Sequence, residues 1–266
     1  MTFSSKLSVT TAALAALGLA AAHPAAAQTN ITLTSQSIAS ASDVLVNGTL
    51  VGAYAFGHPG DQTVNGVLFQ SVGGGQVGNN TGNGNLNVTT FDSEGQGAYG
   101  SASAPYSTLT SSSYKALLGS GLYDTPNPTD TAFFQLAGLT VGNVYETQFF
   151  VSDSRGSGTG RNETLTLGAN TVTLTFNTAS AEGGLGQYAV GTFTADATTA
   201  QLAAKGNIST QVNGFQYRDL GAPASAAPEP SQLAGLGLAA FGVLGLLFRA
   251  RKRTSISAAA PTVWGS

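Results

Sequence analysis

The chain has 266 residues, of which only 9% are charged, against about a quarter in an average soluble protein, and glycine alone fills 35 positions. It contains no cysteine, which excludes a disulfide framework, a thiolate nucleophile and any cysteine-ligated zinc site. Between residues 29 and 227 twelve acidic side chains outweigh five basic ones, a formal charge of −7 that argues against nucleic acid or anionic lipid as a partner of this region.

At the start, Lys6 stands in a short polar segment, followed by an apolar run from Leu7 to Ala22 and by Ala25, Ala26 and Ala27 before Gln28. This is the three-part layout of a secretory signal peptide, with small side chains where signal peptidase cleaves. Residues 1–27 are therefore expected to direct the chain to the Sec translocon and to be removed, leaving Gln28 as the new terminus. An N-terminal membrane anchor is the alternative, for which the run is short.

Residues 28–220 are expected to form one all-β domain, a single antiparallel two-sheet sandwich, because short strand signals recur with turn signals between them. Asn47-Gly48, Asn65-Gly66 and Asn213-Gly214 each lie between apolar runs and are expected to close tight hairpins, since both residue types tolerate positive φ. The glycine- and asparagine-rich stretch Gly73 to Asn87 has too few apolar residues to order itself by burial, so a mobile surface loop is expected. A calcium site there would lack the regularly spaced aspartates that such sites use. Ser111 to Leu118 reads as a short helix.

Val144 to Val151 is heavy and aromatic at its end, Phe149 and Phe150 falling on opposite faces, which predicts a central strand buried on both sides. The segments Glu163 to Leu167, Thr171 to Phe176 and Gln187 to Thr194 alternate with period two, as half-buried antiparallel strands do. In the second of these Val172, Leu174 and Phe176 share one face and three threonines the other.

Asp153, Arg155 and Arg161 form the most suggestive polar cluster, on a loop that leaves the central strand and passes through Gly156 to Gly160. A planar guanidinium forked on a carboxylate can grip sugar hydroxyls, and a tyrosine face (Tyr106, Tyr123 or Tyr188) can stack on a pyranose ring. The plainer alternative is a surface clasp that pins the loop.

Catalytic readings have little support. After signal-peptide removal the one histidine left is His58, in the turn Gly57 to Gly60, and no Gly-x-Ser-x-Gly is present for a nucleophile elbow. A metal site built from several histidines is excluded, and no cofactor is implied. Paired carboxylates for glycoside hydrolysis leave no local signature and stand as a distant alternative.

The far end carries its own pattern. A flexible stretch from Gly221 to Ala227 leads to Pro228, Glu229 and Pro230, whose two prolines hold the segment extended. Residues 231–248 are apolar and glycine-rich, with sixteen uncharged positions from Leu233 to Phe248. As a helix these sixteen would be about 24 Å long, slightly short of a bilayer core of about 30 Å, a deficit that local thinning absorbs. Arg249, Arg251, Lys252 and Arg253 follow at once and predict that residues 249–266 lie in the cytoplasm, with the domain outside.

In this order, Pro228-Glu229-Pro230, a short apolar helix and an arginine-rich end resemble the PEP-CTERM sorting signal. Thirteen residues, Thr254 to Ser266, follow the basic cluster, which usually ends such proteins. The resemblance implies recognition by an exosortase in the inner membrane of a Gram-negative bacterium that makes exopolysaccharide. The segments Gly138 to Gly142 and Gly191 to Ala195 are also loosely similar to jelly-roll, galactose-binding-like domains that such proteins carry. The expectation is thus an exported protein of the envelope or biofilm matrix, without enzymatic activity, whose displayed domain is structural or docks on exopolysaccharide as a carbohydrate-binding module.

Overall fold

The computed structural model describes residues 28–73, 85–89, 91–124 and 130–223. Up to Ala222 these belong to one compact unit. The strands, in chain order, are β1 (Thr29–Ser37), β2 (Thr49–Phe56), β3 (Gln62–Val64), β4 (Val67–Val72), β5 (Leu86–Thr89), β6 (Ser93–Gly95), β7 (Gly121–Tyr123) and β8 (Ala132–Ala137). They continue as β9 (Val144–Val151), β10 (Asn162–Leu167), β11 (Asn170–Thr175), β12 (Gln187–Thr194), β13 (Thr199–Gly206), β14 (Gln211–Val212) and β15 (Gly214–Gly221). One helix, α1 (Ser112–Gly119), stands between β6 and β7.

The protein is all-β, as its alternating segments predict. A seven-stranded sheet has the order β1-β12-β9-β15-β2-β4-β3, and a five-stranded sheet the order β11-β10-β13-β8-β5. Two details depart from an all-antiparallel pair of sheets. β2 and β4 run parallel, and β14, β7 and β6 make a third, smaller sheet.

The core between the two large sheets is aromatic. Phe134 of β8 meets Phe149 of β9 edge-on, with ring centroids 5.1 Å apart, and Phe215 of β15 lies 5.8 Å from Phe134. Such rings bury large apolar areas, and their edge-to-face contacts add about 0.5–1.5 kcal/mol each. β9 pairs with β12 on one side and β15 on the other, the central position expected for it. Phe150, on its opposite face, enters a second cluster beneath α1, with its ring centroid 6.2 Å from that of Tyr114. Two cores on either side of one strand explain why both of its faces are apolar.

Helix α1 begins where Ser111 Oγ accepts a hydrogen bond from the Tyr114 amide at 3.1 Å, satisfying one of the orphan donors of the first turn. It buries Tyr114, Leu117 and Leu118 and turns Lys115 away from that face. β11 keeps the expected alternation: Leu174 and the following Phe176 are buried, while Thr171 and Thr173 are exposed.

Of the three Asn-Gly pairs, one closes a hairpin. Asn65 and Gly66 have φ of 48° and 77° and join β3 to β4. At Asn47-Gly48 only the glycine has positive φ, and residues 46–48 precede β2 as a loop whose carbonyls accept hydrogen bonds from the Arg218 guanidinium. Asn213-Gly214 makes no turn. Asn213 is fully buried between β14 and β15, where its carboxamide receives the Ser152 amide (2.7 Å) and donates to the carbonyls of Leu118 (2.8 Å) and Ser120 (2.7 Å).

Leu86 and Asn87, expected in the glycine-rich loop, open β5, because Leu86 is buried in the main core. The rest of that loop from residue 74 to 84 lies outside the described residues. So do the expected signal peptide 1–27, Pro228, Glu229 and Pro230, the expected span 231–248, and Arg249, Arg251, Lys252 and Arg253. Among the described residues no helix is long and apolar enough to cross a membrane.

Candidate functional site

β9 ends at Val151 and passes into Ser152, Asp153 and Ser154, all fully buried. The backbone anchors them: the Asp153 amide donates to the Phe176 carbonyl (2.9 Å) and the Ser154 amide to that of Tyr99 (2.8 Å). A single 3-10 turn, Gly156–Gly158, then folds the chain back. Gly158 packs so closely on Asp153 that any side chain there would run into the Asp153 carbonyl.

Asp153 holds both arginines. Arg155 grips its carboxylate in a fork, Nε and NH2 each 2.7 Å from a different oxygen, and Arg161 NH1 donates to Oδ2 at 2.9 Å. The plainer reading, in which Asp153 pairs with these arginines and pins the loop, is therefore present, but inside the protein rather than at the surface: the carboxylate is sealed from solvent and Arg161 is buried as well. Burial of Arg161 is tolerable because both of its terminal nitrogens are matched. NH1 also reaches Gln211 Oε1 (3.1 Å), NH2 reaches Ser209 Oγ (2.8 Å), and the guanidinium carbon lies 4.5 Å from the centroid of the Phe176 ring.

Arg155 is different. Its side chain is 42% exposed, its guanidinium carbon lies 4.9 Å from the centroid of the Tyr99 ring, and NH1 carries no hydrogen bond among the described residues. The hydrogen bonds to Asp153 hold its pKa above the ordinary arginine value. Burial pushes the Tyr99 phenol well up, so it stays a neutral donor.

These groups border a cleft of about 340 Å³ lined by Glu94, Tyr99, Tyr123, Arg155, Arg161 and Ser209. Tyr99 and Tyr123 meet edge to face at 6.3 Å. The lining combines aromatic surface, a half-exposed guanidinium, a carboxylate and a hydroxyl, a set suited to holding a hydroxylated ring by stacking and hydrogen bonds.

Of the three tyrosines considered from sequence, only Tyr123 belongs to this cleft. Tyr106 is buried with its hydroxyl on the Lys115 carbonyl (2.7 Å), and Tyr188 is buried against Phe150 with its hydroxyl on Gln36 (2.8 Å). Tyr99 was not singled out. It lies in an irregular segment after β6, with no periodicity to mark it.

Glu163 was also missed, although the alternation held the signal: it shares parity with Leu165 and Leu167, and all three face inward. Its carboxyl is fully buried, and its pKa is pushed up to about 8 by desolvation, against the lowering effects of the Gln211 amide (2.8 Å) and Arg161. Burial of a carboxylate is costly, which favours the protonated form of Glu163.

Among the described residues no group of three or more His, Asp or Glu side chains could hold a metal ion. His58 lies in its expected turn, Nδ1 accepting from the Gly60 amide at 3.2 Å. No family model, curated protein or solved structure matches this chain. The cleft beside Arg155 is the place where the residues singled out from sequence and those added by the fold meet.

Proposed function

We propose that this chain is exported, sorted to the cell envelope through its C-terminal tail, and displays a non-enzymatic β-domain as a structural or exopolysaccharide-associated component of a surface matrix. The observation that carries this reading is the ordered tail of Pro228, Glu229 and Pro230, an apolar segment over 231–248, and Arg249, Arg251, Lys252 and Arg253, on a chain that opens with a signal-peptide layout. On this reading signal peptidase and the Sec translocon act first, the apolar segment halts in the inner membrane with its basic end in the cytoplasm, and an exosortase receives the extended Pro-Glu-Pro segment. Seven- and five-stranded sheets sharing one aromatic core support a jelly-roll-like sandwich as the displayed domain. Intact-mass measurement of surface-extracted protein tests the proposal. A chain running from Gln28 to about Pro230 is expected, and a chain that keeps residues 1–27 and stays in the cytoplasm overturns it.

A second reading is favoured by the cleft itself. Tyr99 and Tyr123 beside a half-exposed Arg155 make a polar and aromatic recess of about 340 Å³, within the range of small-ligand sites, and support a carbohydrate-binding role. Polysaccharide pull-down by the purified protein tests it: Tyr123→Ala is expected to abolish retention, and unchanged retention removes the cleft from consideration.

A further inference from the structure

A second cleft, of about 540 Å³, is lined by His58, Gln96, Ser101, Ser107, Lys115 and Ser120. It shares a wall with the first. Glu94, Gly95, Ala98 and Tyr99 line the cleft beside Arg155, whereas Gln96, Gly97 and Ser101, from the same stretch of chain, line the cleft beside Lys115. Gly95 and Gln96, neighbours along the chain with Cα atoms about 3.8 Å apart, border different clefts, so the segment from Glu94 to Ser101 forms a wall common to both. The wall is firmly held. The Gly97 amide donates to Ser120 Oγ (2.9 Å), the Tyr99 amide to the Gly119 carbonyl (2.9 Å), and Gln96 Nε2 to Glu94 Oε1 (2.9 Å).

Charge is distributed unevenly around this wall. Between residues 29 and 227 there are five basic side chains against twelve acidic, yet three of the five, Lys115, Arg155 and Arg161, line these two clefts. Of the acidic groups nearby, Asp153 is paired with both arginines, whereas Glu182 accepts from Ser101 Oγ (2.9 Å) and Glu94, which lines the Arg155 cleft, accepts from Gln96 Nε2 (2.9 Å). The cations retain donors. Among the described residues Lys115 Nζ makes one long bond, to the Ser107 carbonyl (3.4 Å), leaving two of its three hydrogens, and Arg155 NH1 makes none. Repulsion from the domain's distant carboxylates is screened beyond about 8 Å at physiological ionic strength, so the groups that line the clefts decide what binds, and among the described residues the Lys115 cleft has no carboxylate in its lining.

We propose that the two clefts are consecutive subsites for one polysaccharide chain whose units carry carboxylates, with Lys115 and Arg155 each receiving an acidic group and the serines and tyrosines receiving the rings. The inference rests on the carbohydrate-docking reading and extends it, since it names an acidic sugar chain as the ligand and requires both recesses to be filled at once. Joining two weak contacts in one chain raises affinity without any new contact, so length dependence is the diagnostic property.

The test is calorimetric titration of the purified full-length protein in mild detergent with galacturonate, glucuronate and mannuronate oligomers of one to six units, each beside its methyl-ester form. A tetramer is expected to bind about tenfold or more tightly than a monomer, and the ester about tenfold more weakly than the acid. Lys115→Met is expected to remove most of the gain with length while leaving the melting temperature within a few degrees, because the buried face of α1 is formed by Tyr114, Leu117 and Leu118, which the substitution leaves in place. Length-independent binding that Tyr123→Ala abolishes and Lys115→Met leaves intact overturns the paired subsites and keeps docking at the Arg155 cleft. Equal binding of acid and ester overturns the carboxylate assignment. Absence of binding by every oligomer, acid or ester, overturns both this inference and the docking reading.

Discussion

Asp153 and Arg161 form an ion pair at 2.9 Å whose carboxylate is sealed from solvent, at the point where the central strand β9 turns into its loop. Removing Arg161 leaves Asp153 to the Arg155 fork but orphans Gln211 Oε1 and Ser209 Oγ in the interior, which at about 1–3 kcal/mol for each unsatisfied group costs about 2–6 kcal/mol. Arg161→Ala is therefore expected to lower unfolding free energy by that amount in urea titration. Arg155→Ala, which loses a half-exposed partner while Arg161 still neutralises Asp153, is expected to cost under about 1 kcal/mol.

Glu163 makes stability pH-dependent in a defined sense. Its folded-state pKa of about 8 lies above the ordinary 4.5, so the folded form binds the proton more tightly than the unfolded form. The contribution is fully present below about pH 4.5 and is lost as pH rises toward 8, with each unit of difference worth about 1.4 kcal/mol. Glu163→Gln is expected to flatten the fall in melting temperature between pH 5 and pH 8 and to make the variant the more stable protein at pH 8.5. An unchanged slope assigns the dependence to other groups.

Asn213 ties β14 and β15 to α1 and to the start of the Asp153 loop through its carboxamide. Asn213→Ala orphans the Ser152 amide and the Leu118 and Ser120 carbonyls in a dry interior, at about 1–3 kcal/mol for each unsatisfied group. A loss of at least about 3 kcal/mol in chemical denaturation is expected, far above what a residue in an exposed hairpin turn would show.

Replacing Arg249, Arg251, Lys252 and Arg253 together by neutral residues is expected to release the domain into the medium or to misplace it, because the apolar segment then loses its orienting charges. Fractionation and immunoblotting of the two forms read this directly, and identical distributions would remove the basic cluster from the sorting mechanism.

The sequence by itself determined the elements whose signal is local. Strict alternation in Thr171 to Phe176 marked β11 and its buried face, apolar character on both sides marked Val144 to Val151 as central, and Asn65-Gly66 marked a hairpin because both residues tolerate positive φ. The proposed export and sorting signals rest on composition and order along the chain alone. Tertiary structure decided what depends on distant partners. Asn213-Gly214 carries the same dipeptide as a hairpin, yet Ser152, Leu118 and Ser120 converge on Asn213 and draw it into the core instead. Asp153 and Arg161 looked like surface charges because charge usually stays in water, and only the arrival of Gln211, Ser209 and Phe176 from other parts of the chain makes their burial tolerable. Tyr99 joins the cleft, and Tyr106 and Tyr188 do not, because which loops and strands are brought together is set by sheet order, and no short-range pattern encodes that order.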